Sequence, residues 1–365
     1  MGKLYALYLL FAFTAFSTLE AQTVQWAKRV GGPHEDKIRS VATDGDGNLV
    51  VLGSFATTAD LNPGDDVNPF STLYPENYLG DIFISKLDEN GDALWITQIG
   101  CNAGIFPSDL SVDAQGNSYV SGQFMGSAQM NIAGTISTFT SSGGYDAFIA
   151  KVDTNGNIVW AKSVGAGTDD FTRTVHATAD GVLLGGYISQ TVAFDANDPQ
   201  YTLNASEIGD PFLAKFDFNG NVVWSSIFQG DGDWVAVPNE ITDVTTDASG
   251  NIIAVGRFHS TVDFDPGSGS HQVASYAQNF GDSFIVKLSA HYIWTRHFGN
   301  TSQDGQFTSI AIDQGGSIFV SGVFAGPTDF DGQLLTTSPD YFATPTFAVF
   351  RPMEICFGQK NGAER

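Results

Sequence analysis

One group of carboxylates, with a single tryptophan, could bind a ligand. Its members lie in Gly- and Asp-rich segments between apolar runs: Asp169, Asp170, Asp231, Asp233, Trp234 and Asp304. An aromatic ring beside carboxylates on a loop suits a sugar or a peptide. Local packing of the loops explains the same residues. The expected partner is an extracellular glycan or protein, and its identity stays open.

A second group of carboxylates could bind a hard cation. Two Asp-Phe-Asp segments run into glycine turns, and their acids are Asp263, Asp265, Asp329 and Asp331. Calcium prefers such oxygen ligands. Asp-Pro-Gly and Asp-Gly sequences are also typical of solvated hairpin turns, which is the favoured interpretation. No cofactor is expected unless these acids bind calcium.

Catalytic motifs are absent from the sequence. It contains no His-Glu-x-x-His, Gly-x-Ser-x-Gly, P-loop or dinucleotide-binding pattern. We therefore predict a non-enzymatic binding or surface-display module and assign no catalytic residue. The alternative is a polysaccharide-active enzyme, because glycosidases need two carboxylates at a defined separation and acids are plentiful here.

Composition favours many short strands joined by turns. The 365 residues include 41 Gly, and the 40 acids divide into 32 Asp and 8 Glu. Asp and Gly favour turns, whereas Glu favours helices. The 29 Phe, 11 Tyr and 6 Trp favour strands. A formal net charge of −24 argues against nucleic-acid binding, which needs clustered Lys and Arg.

The first 21 residues are typical of a signal peptide. Lys3 precedes an apolar stretch that is too short to span a bilayer, and Ala21 provides a small residue at the expected cleavage site. No later stretch is long and apolar enough to span a membrane. The mature protein is thus predicted to be secreted or held at the cell surface. A Cys101–Cys356 disulfide is possible from the sequence, but the spacing does not establish it.

A repeat of 64 to 70 residues organises the chain. It is marked by Trp26, Trp95, Trp160, Trp224 and Trp294. Each Trp opens a strand-like run, and an Asp-x-x-Gly-Asn turn and an apolar strand follow it. A long loop then leads to an Asp-x-Phe strand and a second Gly turn. No 3.6-residue apolar stripe occurs, so a helical solenoid is excluded.

Four strands per repeat predict a propeller blade. Such a unit cannot bury its own faces, whereas radial repetition buries them between neighbours. The predicted fold is an all-β propeller of about five four-stranded blades over residues 22–352, with an irregular tail at 353–365. Tight turns then share one rim and long loops the other. Predicted structural positions, with the acids tying loop amides, are Asp81, Asp146, Asp210, Asp282, Trp95, Trp160, Trp224 and Trp294.

The combined motif resembles a known repeat. The pattern W-x-x-x-x-G, D-x-x-G-N-x-x-V-x-G-x-F and D-x-F-x-x-K-x-D-x-x-G-N over residues 23–350 is similar to the SBBP-type β-propeller repeat. The resemblance implies an exported bacterial protein. It also implies seven blades, whereas this sequence offers five repeats.

The strand count predicts how the ring closes. The segment Thr23 to Gly31 is a fourth strand without a preceding blade, and the fifth repeat supplies only three strands. The N-terminal strand is therefore expected to complete the last blade and remove both exposed edges. The alternative is that the chain is a fragment of a larger propeller.

Overall fold

The computed structural model describes residues 24–62, 69–76, 79–231, 238–276, 280–289, 291–301, 304–336 and 344–351. Regular structure within them is β-strand, apart from one 3-10 turn at Pro199–Tyr201. No helix in these ranges is long and apolar enough to cross a membrane. The predicted signal peptide and the tail at 353–365 lie outside the described residues.

Each of the first three repeats forms a four-stranded antiparallel sheet and a hairpin. The hairpin is separate in repeats 1 and 3, whereas the hairpin of repeat 2 pairs with the last strand of repeat 1 and, at one residue pair, with the last strand of its own repeat. In blades 1 and 3 the sheet uses the first, second, fifth and sixth strands in that order, and blade 2 follows the same scheme. The strands of blade 1 are β1 (Lys37–Thr43), β2 (Leu49–Phe55), β3 (Thr58–Asp60), β4 (Pro69–Ser71), β5 (Asp81–Leu87) and β6 (Ala93–Cys101). Those of blade 2 are β7 (Gly104–Val112), β8 (Ser118–Met125), β9 (Ser127–Ile132), β10 (Thr135–Thr140), β11 (Asp146–Val152) and β12 (Ile158–Val164). Those of blade 3 are β13 (Phe171–Thr178), β14 (Gly181–Ile188), β15 (Thr191–Ala193), β16 (Thr202–Asn204), β17 (Asp210–Phe216) and β18 (Val222–Ile227).

Blade 4 repeats this arrangement, and blade 5 has three sheet strands within the described residues. The strands of blade 4 are β19 (Glu240–Thr246), β20 (Ile252–Phe258), β21 (Thr261–Asp263), β22 (Gln272–Ala274), β23 (Asp282–Leu288) and β24 (Tyr292–Phe298). Those of blade 5 are β25 (Gly305–Ile312), β26 (Ile318–Phe324), β27 (Thr328–Phe330), β28 (Gln333–Leu335) and β29 (Thr344–Phe350). The predicted all-β propeller fold is confirmed.

Hydrophobic cores lie between neighbouring sheets. Leu52 and Ile84 of blade 1 belong to one cluster with Leu110 and Phe148 of blade 2. Three similar clusters join blades 2 and 3, 3 and 4, and 4 and 5. The sheets thus bury their faces against each other, as radial repetition requires.

The repeated turns are set by aspartate. In the first of them, Asp44 Oδ1 accepts the backbone N–H groups of Asp46 and Asn48, both at 2.9 Å. Asn48 Nδ2 donates to Asp44 Oδ2, and Gly47 takes a φ of +85° that favours glycine. The same bonds recur at Asp113, Asp153, Asp217 and Asp247. The Asp-x-x-Gly-Asn motif is therefore a self-contained turn.

Two of the repeated tryptophans connect their blade to the next one by an indole hydrogen bond. Trp95 Nε1 donates to the carbonyl oxygen of Thr154 at 3.0 Å, and Trp160 Nε1 donates to that of Phe218 at 3.1 Å. Both acceptors lie in or next to the turn that joins the last two sheet strands of the following blade. This turn joins β11 to β12 in blade 2 and β17 to β18 in blade 3. A Cβ built on Gly220 in that turn would lie 2.8 Å from Trp160 Cδ2. The indole therefore packs against Gly220 in a space that a side chain at this position would occupy.

We expect Gly220→Ala to destabilise the protein more than Gly250→Ala does. Both glycines have left-handed backbones, with φ of +84° and +77°, but a Cβ at Gly250 meets nothing within 4 Å. Gly250→Ala should cost about 1–2 kcal/mol of unfolding free energy through backbone strain alone. Gly220→Ala should cost roughly twice as much, because it also displaces the indole. Urea denaturation of both variants tests this, and equal losses would contradict the contact.

Among the described residues, no strand pairing forms the predicted ring closure. Residues 24–30 lie in no strand, and β29 pairs with β26 alone among the described strands. Gly31 instead pairs with Asp60 of the first hairpin, with N···O distances of 2.8 and 3.0 Å. Trp26 Nε1 donates to Glu89 O of blade 1 at 2.9 Å. The segment therefore contacts blade 1 in the way that the last strand of one blade contacts the next blade. Among the described residues, no sheet strand pairs with it.

Candidate functional site

Charged and aromatic side chains collect on the long-loop rim of blades 3 and 4. Arg173 lies near the start of β13, Glu240 begins β19 and Arg257 precedes the end of β20. The register of β13 shifts between Thr172 and Thr174, so a β-bulge takes Arg173 out of the regular ladder. Glu240 and Arg257 are direct partners across β19 and β20. The repeat thus brings these three residues to one rim.

A buried carboxylate holds two guanidinium groups at this rim. Arg173 Nε lies 2.7 Å from Glu240 Oε2, and Arg257 Nη2 lies 2.9 Å from Glu240 Oε1. Gln306 Nε2 of blade 5 donates to Glu240 Oε1 at 3.1 Å. The Glu240 side chain is 3% exposed, against 32% for Arg173 and 22% for Arg257. The carboxylate is therefore interior, while both arginines reach the solvent.

Aromatic rings line the Arg173 side of this cluster. Phe171 and Tyr187 stack with centroids 5.3 Å apart, and Tyr145 lies 5.6 Å from Phe171. Phe106 extends the row at 5.9 Å from Tyr145. The Arg173 guanidinium carbon lies 5.1 Å from the Phe171 centroid and 5.7 Å from that of Tyr187, within cation–π range. The row gives the rim an apolar, ring-lined edge.

Both guanidinium groups of the network reach the surface. Arg173 and Arg257 pair with the single carboxylate of Glu240. Within the described residues, Arg257 Nε is buried without a hydrogen-bond partner, and the Arg173 side chain is 32% exposed. Planar guanidinium forks match carboxylate geometry. The chemistry available here is recognition of an anionic group next to an aromatic face.

Two of the predicted ligand-binding carboxylates flank this cluster. Asp169 is exposed, and its Oδ1 accepts the N–H of Tyr145 at 3.0 Å. Asp304 Oδ1 accepts the N–H of Gly281 at 2.7 Å and lies 3.8 Å from His259 Nε2. Burial, and then the Arg257 charge, lower the pKa of His259, so this pair is not an ion pair near neutral pH.

The remaining predicted ligand-binding residues are spread more widely. Asp170 is buried, and its two oxygens accept the N–H groups of Ala166 and Ser189, both at 2.7 Å. Asp231 Oδ2 accepts the N–H of Thr261 at 3.0 Å on the hairpin of blade 4. Asp233 and Trp234 lie outside the described residues.

The four acids considered for calcium lie on two different hairpins. Asp263 Oδ1 accepts the N–H groups of Asp265 and His271 at 3.0 and 2.7 Å, and Asp265 Oδ1 accepts that of Gly267. On blade 5, Asp329 Oδ1 accepts the N–H of Gly332, and Asp331 pairs with Arg296. No group of three His, Cys, Asp or Glu side chains suited to a metal occurs within the described ranges. These contacts are those of hairpin turns.

The recurring acids at the start of each third strand tie loops to the sheet. The N–H groups of Leu73, Ser142, Ser206 and Tyr276 donate respectively to Asp81, Asp146, Asp210 and Asp282. All four acids are at most 3% exposed. Burial raises the pKa of Asp146 to about 6 and that of Asp282 to about 7. Within the described residues, these carboxyl groups are interior and bind loop backbone, as the predicted structural role requires.

Cys101 is also interior. Its Sγ donates to the carbonyl oxygen of Met125 at 3.0 Å. Cys356 lies outside the described residues, so a bridge between the two remains a prediction.

Arg173, Glu240 and Arg257 were not among the predicted ligand-binding residues. A usable signal exists in their rarity: the chain has only seven Arg, and Arg173 occupies the same bulge position in the repeat as Arg39. Because Arg39 instead donates to the backbone oxygen of Ser108, repeat position alone does not identify a site.

Comparisons with known proteins add distant similarities. No family model matches the sequence. An uncharacterised WD repeat-containing protein of Acanthamoeba polyphaga mimivirus is 25% identical over 272 residues, which are 65% of this chain and 19% of that protein. The chain thus spans about a fifth of this curated relative.

Solved structures align at low similarity. A protein of unknown function from Bacteroides caccae is 11% identical, with 65% of this chain and 78% of that chain covered and a TM-score of 0.32. A virginiamycin B lyase from Staphylococcus aureus is 9% identical, with coverage of 80% and 96% and a TM-score of 0.29. The WD40 β-propeller domain of Doa1 is 13% identical, with coverage of 81% and 92% and a TM-score of 0.26. These similarities assign no ligand to the chain.

Proposed function

We propose that this protein is an exported, non-enzymatic binding module that holds a carboxylate-bearing glycan on the long-loop rim of blades 3 and 4. One observation carries the proposal: Arg173 and Arg257 share the single carboxylate of Glu240 beside the stacked rings of Phe171 and Tyr187. The signal peptide predicted at residues 1–21 supports export to the cell surface or the medium.

The cluster suits an acidic sugar on physical grounds. A pyranose ring offers an apolar face that packs on an aromatic side chain, and its carboxylate can pair with the exposed part of the Arg173 guanidinium. The net charge of −24 repels a dense polyanion at long range. A glycan with widely spaced carboxylates therefore fits better than a continuous polyacid.

Burial of the titrating carboxyls favours binding over hydrolysis. Burial raises the pKa of Asp146 and of Asp170 to about 6, a range useful to a general acid. Both side chains, however, are at most 3% exposed and accept backbone N–H groups. A substrate would have to displace those loops to reach them.

Glycan binding should fail when Arg173 loses its charge. The chain would first be screened on an array of neutral and acidic glycans, with hydrolysis assayed in parallel. For the glycan bound, we expect Arg173→Gln to weaken affinity at least tenfold, since a charge-assisted hydrogen bond contributes about 1.5–3 kcal/mol. Calorimetric titration measures the change.

Two variants serve as controls for that titration. Arg39→Gln changes the same repeat position in blade 1 and should leave affinity unchanged. Arg173→Lys keeps the charge that pairs with Glu240 but loses the planar fork, so it should fold normally and bind weakly. Equal loss in Arg39→Gln, preference for neutral glycans or for peptides, or turnover of the glycan would contradict the proposal.

A further inference from the structure

The outer edge of the last blade is an unfilled strand position. β29 pairs antiparallel with β26, and the sheet order ends there within the described residues. Each sheet of blades 1 to 4 ends in a Trp-bearing fourth sheet strand, which pairs with the third strand of that sheet. These pairs are β5 with β6, β11 with β12, β17 with β18 and β23 with β24. A cavity of about 1090 Å³ lies at this place, lined by Trp294 and Arg296 of blade 4 and by Phe347, Val349 and Arg351 of blade 5.

The face of blade 5 beside this cavity is apolar and uncovered. Phe347 is 83% exposed, whereas its counterparts in blades 1 to 4 are all 0% exposed, namely Ile84, Ile149, Leu213 and Ile285. Phe319 on β26 is 41% exposed, against 0% for its counterparts Val50, Tyr119, Leu183 and Ile253. Blade 5 therefore presents the surface that blades 1 to 4 bury.

The opposite end of the chain presents the complementary surface. Val41 on β1 is 55% exposed, whereas its counterparts in the other first strands are 8% exposed or less, namely Leu110, Val175, Val244 and Ile310. Ile38 on the same strand is 58% exposed. Blade 1 thus has the leading face of an interblade contact, and blade 5 has the trailing face.

The segment 24–31 makes the contacts of the last strand of a blade, although residues 24–30 form no strand. Trp26 makes the same indole hydrogen bond to the next blade that Trp95 and Trp160 make. Gly31 pairs with the hairpin of blade 1, as Gly230 after the fourth strand of blade 3 pairs with that of blade 4. No strand ladder joins this segment to β29 among the described residues. Among the described residues, no strand pairs with the outer edge of β29, and the segment 24–31 pairs with no strand of the blade sheets.

We propose that the exposed edge and face of blade 5 bind a second copy of this chain, which supplies its segment 24–31 and the leading face of its blade 1. The contact continues the interblade interface already present four times in each copy. It is a head-to-tail contact between different surfaces, so each added copy leaves one end of each kind exposed. Strand addition to an open sheet edge gives both affinity and register.

The repeat specifies the register of the new strand pair. In each of blades 1 to 4, the Trp lies opposite the Lys of the third strand, as in Lys151↔Trp160. Val349 of β29 holds the position of that Lys. Trp26 of the second copy should therefore lie opposite Val349, and Ala27 opposite Ala348, as Ala161 lies opposite Ala150 in blade 2.

Disulfide trapping tests this register and its source. In a Cys356→Ser background, chains carrying both Ala27→Cys and Ala348→Cys would be oxidised at several concentrations and run on a non-reducing gel. We expect disulfide-linked dimers and larger species whose yield falls on dilution. The control pair, Lys28→Cys with Ala348→Cys, is one residue out of register, places the new side chain on the other face and should link at least fivefold less.

The mass of the linked product decides the outcome. A disulfide formed within single chains, giving a linked monomer at every concentration, would overturn the proposal by showing that the ring closes on itself. Equal yields from the two pairs would overturn it as well. Sedimentation of the unmodified chain provides a second readout: its mean mass should rise with concentration, and a constant monomer mass would also contradict the proposal.

Discussion

Replacing Glu240 by alanine should lower the free energy of unfolding by about 3 kcal/mol or more, because it leaves two partly buried guanidinium groups unpaired. Glu240 pairs with Arg173 and Arg257 and accepts a hydrogen bond from Gln306, so one carboxylate connects blades 3, 4 and 5. Breaking a buried pair costs more than an exposed pair contributes, since the remaining charges keep their desolvation penalty. Urea denaturation followed by tryptophan fluorescence measures the loss.

Glu35→Ala is the matched control for this prediction. Glu35 pairs with Lys37 at 2.8 Å, but the two side chains are 77% and 65% exposed. Solvent screens such pairs, so this variant should change the unfolding free energy by less than about 1 kcal/mol. A second variant, Glu240→Gln, keeps an oxygen acceptor and should fall between the two. Similar small losses of unfolding free energy for Glu240→Ala and Glu35→Ala would show that the network does not stabilise the packing of the blades.

Much of the blade architecture could be predicted because its determinants recur in the sequence. The Asp-x-x-Gly-Asn turn closes on its own side chain, as Asp44 and Asn48 show, so four or five residues are enough to recognise it. The Trp position recurs with a glycine in the next blade for three of the five tryptophans, which pack on Gly91, Gly156 and Gly220. Short-range turns and a regular spacing are visible without coordinates.

The candidate site could not be predicted in the same way because it is built across blades. Arg173 and Glu240 are 67 residues apart, and Gln306 is 66 residues beyond Glu240. Their contact depends on a β-bulge and on the packing of three sheets, and no other blade repeats it. Ring closure failed as a prediction for a related reason, since strand counting says nothing about the distance between blade 5 and blade 1.

Lowering the pH from 8 to 5 should stabilise the protein. Burial raises the pKa of Asp282 to about 7 and the pKa values of Asp146 and Asp170 to about 6, all above the ordinary value of 3.8. At these three carboxyls the folded state binds more protons than the unfolded state between pH 4 and 7, so their contribution to the unfolding free energy falls as the pH rises through this window. Burial lowers the pKa values of His176, His259 and His297, and these histidines offset part of the effect because they bind fewer protons in the folded state. The stabilisation is fully present below the unfolded pKa and is lost above the folded one.

The size of the effect follows from the shifts. One pKa unit corresponds to about 1.4 kcal/mol, and both water reaching partly buried groups and the opposing histidines reduce the sum, so we expect a net gain on the order of 1–3 kcal/mol between pH 8 and pH 5. Relief of repulsion at a net charge of −24 acts in the same direction.

At lower pH the trend should reverse. Although burial raises them, hydrogen bonds lower the pKa values of Asp44 and Asp247 to about 2, and the stability they contribute is lost as the pH falls below about 4.

Asp282→Asn assigns the effect to one residue. Asn mimics the protonated carboxyl, and its oxygen can still accept the N–H of Tyr276. The unfolding free energy of the variant should therefore equal or exceed that of the parent at pH 8 and depend less on pH.

Asp210→Asn, at the same blade position, is the control. Its two oxygens accept the N–H groups of Ser206 and Gly230, so an amide there turns an NH₂ group toward a donor and should destabilise the protein at every pH. Urea midpoints at pH 5, 6, 7 and 8 decide between these outcomes. A flat profile in the parent, or an unchanged slope in Asp282→Asn, would mean that these buried carboxyls are already ionised in the folded protein.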